Sequence, residues 1–91
     1  MKKRKILEKA LSGSKNIRFT ELVALLEGFG FSLERVEGSH QIFAHPKIPR
    51  PFPIQNDKGK AKPYQVRQLL KSAEQYELTL EENQEDEEDE A

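Results

Sequence analysis

The sequence predicts an α+β domain in which a small three-stranded antiparallel sheet carries two helices on one face, in the order α-β-β-β-α, with a short extra helix in front. Three observations carry this reading. Apolar residues recur at helical spacing over 20–28 and again after Pro63, the period falls to two between them, and Gly38-Ser39 joins two alternating runs closely enough for a hairpin. The chain has 91 residues, which fits one small domain with one core.

The extra helix covers 2–11, where Ile6, Leu7, Ala10 and Leu11 share one face and bases fill the other. Ser12-Gly13-Ser14 ends it. A helix of about ten residues is marginal alone in water, so residues 1–16 read as an appendage and connector that docks on the main domain or on a partner. The main domain, 17–76, begins with a helix over 20–28. Thr20 is placed to cap it, Glu21 lies in its first turn near the positive end of the dipole, Leu22, Val23, Leu25 and Leu26 form its apolar stripe, and Gly28 or Gly30 stops it.

From Phe31 the alternation Phe31-Ser32-Leu33-Glu34-Arg35-Val36-Glu37 reads as a strand, paired through Gly38-Ser39 with His40-Gln41-Ile42-Phe43-Ala44-His45. Pro46 ends the second strand, 47–51 reads as a loop, and 52–55 adds a third strand at an edge, because Pro53 has no N–H for a ladder. A loop over 56–60 follows. Pro63 then suits the first position of a last helix, in which Val66, Leu69, Leu70 and Ala73 share a face and Tyr76 lies near the end.

Charge divides the chain sharply. Residues 1–76 carry 15 Lys and Arg against 7 Asp and Glu, whereas 77–91 carry 9 acids and no base. The body therefore attracts polyanions such as nucleic acid, and the tail opposes them or folds back on the basic surface. Beyond Leu80 no large apolar residue occurs, and self-repulsion predicts disorder for this acidic tail. With no cysteine and only two histidines, no disulfide, thiolate site or zinc set is available, and the sequence calls for no metal or cofactor. The basic start lacks a signal peptide's apolar region and no run reaches membrane-spanning length, so a cytoplasmic protein with no membrane partner is expected.

Chemistry is sought first at Gly38-Ser39-His40. A turn gives the imidazole access to substrate, and the following strand holds its backbone rigid, which is what a proton-transfer group needs. His45 is five residues on, so a regular strand points the two rings to opposite faces and they do not act together. The pattern leaves open which face is the core, because Ile42 shares phase with His40 and Phe43 with His45. Lys58, Lys60 and Lys62 lead into the last helix, combining ammonium groups with the positive end of its dipole as a phosphate-binding arrangement. No glycine-rich nucleotide loop or serine-centred elbow is present. A histidine acting without metal on RNA, whose 2′-hydroxyl supplies the nucleophile, is the economical chemistry.

The order of elements and the lysine-rich approach to the last helix resemble double-stranded RNA-binding domains. More specifically, 17–76 resembles the HicA toxins of bacterial HicA-HicB toxin-antitoxin systems, through Gly38-Ser39-His40 followed by Ile42-Phe43 and His45-Pro46, after a helix ending in Gly-Phe-Gly-Phe. The resemblance implies an endoribonuclease cleaving messenger RNA with His40 as its catalytic residue, and a HicB-type antitoxin that covers the site. Gly38, Ser39, Lys58, Lys60 and Lys62 are the residues expected to bind the RNA. The third strand departs from the family, with Ile54-Gln55-Asn56-Asp57 where many members carry a proline-arginine-histidine element. The alternatives are a binding module of the same fold that does not cleave, and a regulatory protein whose tail occupies its own basic face.

Overall fold

All three helices of the computed structural model, which describes residues 2–81, end in the same way. In α1 (Lys3–Leu11), α2 (Phe19–Gly28) and α3 (Pro63–Gln75) the second residue past the helix has positive φ: Gly13 at 85°, Gly30 at 101° and Glu77 at 54°. The next N–H turns back to a carbonyl of the last turn, Ser14 to Lys9, Phe31 to Leu26 and Leu78 to Ala73. These reversals send α2 into the sheet and fold the segment after α3 back onto the core. Of the two glycines the sequence offered as the stop of α2, it is Gly30 that takes the left-handed conformation.

The helix α2 starts one residue earlier than the pattern at Thr20 suggests. Arg18 is the cap position, and its N–H donates to the Glu21 carboxylate at 2.8 Å. That carboxylate also meets Lys9 Nζ at 3.2 Å, tying α1 to α2. Ile6 and Ala10 of α1 are buried in the same core as Leu22, Leu25, Leu26, Leu69 and Ile54. Each large apolar side chain removed from water contributes roughly 1.5–3 kcal/mol, far more than the half-exposed ion pair, so burial decides where α1 sits.

The sheet runs β1 (Ser32–Glu37), β2 (His40–His45), β3 (Ile48–Gln55), in that spatial order and antiparallel throughout. Gly38, with φ of 60°, opens the two-residue turn between β1 and β2. Phe43 and Ile54 belong to the core cluster and Ile42 does not, so the helices cover the face carrying Gln41, Phe43 and His45. The opposite face, carrying the exposed His40, the buried Ile42 and the half-buried Ala44, bears no helix among the described residues. That answers the question the alternating pattern left open.

The third strand is twice as long as 52–55. Residues 48–51 are part of β3 and not a loop, with the register against β2 shifting between Phe52 and Ile48; Gln55 N–H turns outward to Gln65, so the N–H that Pro53 lacks, two residues away, falls on the outer edge, where no ladder needs it. The same edge is closed near its end by a side chain. Gln65 of α3, buried at 4% exposure, accepts from Gln55 N–H at 3.3 Å and approaches Pro53 C=O at 3.5 Å with its amide nitrogen. It satisfies the edge as a further strand would.

After α3, Leu78 and Leu80, which the division at residue 77 assigns to the tail, pack against the core, and Glu81 N–H donates to Gly28 C=O at 2.7 Å. A methyl group on Gly28 would stand 2.6 Å from Leu80 Cδ1, so glycine there is what lets this segment cross the end of α2. Of the acidic tail expected to be disordered, 77–91, residues 77–81 are thus described and 82–91 lie outside the described residues. Among the described residues no helix is long and apolar enough to cross a membrane, and no three acidic or histidine side chains gather as a metal site would require.

Candidate functional site

His40 is the first residue of the central strand. Its backbone is paired on both sides, to Glu37 of β1 and Gln55 of β3, while its side chain is exposed on the free face. A ring so placed has a fixed base and an accessible tip. Next to it Gln55 Nε2 donates to Ser39 Oγ at 3.3 Å, linking the turn to β3 across the strand. Gly38 has no heavy atom within 4 Å of where a Cβ would stand, so the turn projects into solvent.

On the same face Arg35 lies opposite Ile42, and its guanidinium bonds the carboxylates of Glu37 and Glu34, the latter at 2.6 Å. The hydrogen bond to Glu37, then that carboxylate's charge, raises the Arg35 pKa above its ordinary value. The cation is permanent, but its neighbours offset it.

The lysine-rich loop is a tight turn. Asp57 and Lys60 exchange both backbone hydrogen bonds at 3.0 Å, Lys58 and Gly59 both have positive φ, and Asn56 Oδ1 accepts from Gly59 N–H at 2.6 Å. The turn is also sewn to the chain before α2: Phe19 N–H donates to Gly59 C=O and Ala61 N–H to Ile17 C=O, each at 2.9 Å. Arg18 is thereby the bridge partner of Lys60, and directly opposed residues leave a ladder on one side. A fourth cation joins the lysines. Arg18 has no local signal in the sequence, because the pairing spans some forty positions and involves one residue on each side.

Lys58 and Lys60 are exposed and Lys62, the cap position of α3, is half-buried. The start of α3 adds little of its own to an anion site: Pro63 has no N–H, and those of Gln65 and Val66 bond Lys62 C=O. Any phosphate affinity there rests on the side-chain cations. The cationic turn begins two residues after Gln55, which is the strand partner of His40 and the last residue of β3.

His45 is occupied elsewhere. Its Nδ1 accepts from Lys47 N–H at 3.0 Å, so Nε2 carries the hydrogen and donates to Phe29 C=O, also at 3.0 Å. Its ring meets Phe31 edge-on with centroids 5.0 Å apart, and a methyl group on Gly30 would come within 2.9 Å of Nε2. The two histidines point to opposite faces, as their spacing predicts, and they do not act together.

A three-stranded antiparallel sheet with helices on one face, an exposed histidine on the other, and a lysine-bearing turn after its third strand define a small α+β domain. The sequence pattern of the family described as HicA toxin of bacterial toxin-antitoxin matches residues 19–75, which spans α2 to the end of α3. The chain belongs to the HicA toxin family. The family implies an antitoxin partner. Neither the curated proteins nor the solved structures contain a match to the chain.

Proposed function

We propose that this protein is an endoribonuclease toxin that cleaves messenger RNA at the free face of its sheet, with His40 as the catalytic residue and no metal in the reaction. The observation that carries this reading is the position of His40: exposed, on the helix-free face, with its backbone fixed between two neighbouring strands. The RNA supplies the nucleophile. His40 takes the proton of a 2′-hydroxyl, the resulting oxygen attacks the adjacent phosphorus, and the bond to the 5′-oxygen breaks as water protonates that oxygen, leaving a cyclic phosphate; the imidazolium then returns its proton to solvent. An imidazole, whose ordinary pKa lies near neutrality, suits proton transfer in both directions.

Lys58, Lys60 and Lys62, with Arg18 beside them, position the RNA backbone and offset the negative charge that grows on the phosphoryl oxygens. Gly38 and Ser39 let the strand approach His40 closely. A HicB-type antitoxin occupies the same face and blocks RNA. The reaction takes place in the cytoplasm, where messenger RNA is found.

The test is cleavage of a mixed-sequence RNA by the purified protein and by His40→Ala, with chelator present and product ends analysed. Cyclic-phosphate ends produced by the parent and lost in the variant support the mechanism. A second reading, an RNA-binding module without cleavage, draws on Gln55, whose amide faces His40 from β3 and cannot transfer a proton as a second acid would. Binding without cleavage by the parent would establish it.

A further inference from the structure

The two edges of the sheet are finished differently. The β3 edge is closed near its end by Pro53 and Gln65, and the strand carries two further prolines, whereas β1 has no neighbour on its outer side among the described residues. All six residues of β1 are exposed, and Leu33 at 48% and Val36 at 59% are two of the four exposed large apolar side chains among the described residues. An open, partly apolar edge is a template for another strand.

The sequence of that edge is complementary to itself. In an antiparallel pairing of two copies about the midpoint of Glu34 and Arg35, each Glu34 stands opposite the second copy's Arg35, exchanging the Glu34–Arg35 pair within each chain for one between chains while Arg35 keeps Glu37, and each Leu33 stands opposite the second copy's Val36. Both opposite-charge and apolar cross-strand pairs are stabilising. The irregularity in β1 makes the register work in three dimensions. Leu33 and Val36 are three apart, and in a regular strand they would lie on opposite faces; here their partners on β2 are Phe43 and Gln41, two apart, because Glu34 is the extra residue of a bulge. The bulge returns Leu33 and Val36 to one face. The two copies then present their helices on the same side.

We propose that the outer edge of β1 pairs with β1 of a second copy about this two-fold axis, forming one six-stranded sheet. Its free face is continuous and carries both His40 side chains, so a single extended polyanion can cross two sites. The pairing rests on the edge and not on cleavage, and it holds whether or not His40 is catalytic.

Sedimentation equilibrium of the full chain without any partner protein tests it. The parent chain is expected to be a dimer at low ionic strength and to weaken as salt rises. Arg35→Glu places Glu34 against the second copy's introduced carboxylate twice over, and Glu34→Arg does the same with cations; each should weaken association at least roughly tenfold. The double exchange, Glu34→Arg with Arg35→Glu, recreates the complementary pairs and should restore the dimer. A monomer at every concentration up to the millimolar range, a dimer indifferent to both single exchanges, or a double exchange that stays monomeric would overturn the proposal. Far-UV circular dichroism on each variant checks that the domain is folded, and the restored double variant keeps the test decisive if one single variant is not.

Discussion

Two histidines five residues apart on β2 have opposite circumstances. His40 has a paired backbone and an exposed ring, while His45 has both ring nitrogens engaged, by Lys47 N–H and Phe29 C=O, and an aromatic edge contact with Phe31. One is held only by its main chain and the other chiefly by its side chain. The contrast teaches that a residue's availability for chemistry follows from which face of the sheet it lands on and from what already bonds it, and not from its type.

Substitution should separate them cleanly. The largest effect is expected from His40→Ala, which should reduce RNA cleavage by about 10²–10⁴-fold, the range of a lost general acid or base, and leave stability within about 0.5 kcal/mol by urea titration. A variant that lost both activity and several kcal/mol would show that the comparison is drawn in the wrong place. His45→Ala should do the reverse. It leaves Phe29 C=O and Lys47 N–H without their ring partner and removes the contact with Phe31, so a loss of about 2–3 kcal/mol is expected, with cleavage retained well below the melting temperature.

Gly30→Ala tests the support of His45 from the other side. A methyl group there would lie 2.9 Å from Nε2 on a backbone with φ of 101°, and an unfolding free energy lowered by about 1–2 kcal/mol in urea titration is expected, again without direct effect on His40. The smallest effect concerns the surroundings of His40. Lys60→Ala should lower RNA affinity uniformly across sequences and reduce the slope of log affinity against log salt by about 0.7, measured by fluorescence anisotropy at several salt concentrations. An unchanged slope would remove the cationic turn from the binding surface.

Much of this layout was legible in the sequence because it is local. The hairpin at Gly38-Ser39, the helix opened by Pro63 and the placement of His40 at the head of a strand all follow from turn chemistry and periodicity within a few residues. What was illegible depends on distant partners. Ile42 and Phe43 are both apolar, so alternation alone could not choose the covered face, and only packing against Leu25, Leu69 and their neighbours does so. The prolines at 49 and 51 suggested a loop because proline is tolerated only in an edge strand or at an irregularity, and β3 is both an edge and shifted in register there, facts about its neighbours. Arg18 beside Lys60, and Gln65 against β3, are likewise contacts without local signature.

The α3 glutamine packed against β3 also limits how far this sheet can grow. With Gln65 and the prolines on one side, only a single margin among the described residues is able to accept a strand, whatever chain supplies it. Addition there is self-terminating: once that margin is used, an assembly of such units has no reactive end, and runaway polymerisation into fibrils is closed off by geometry, not by dilution.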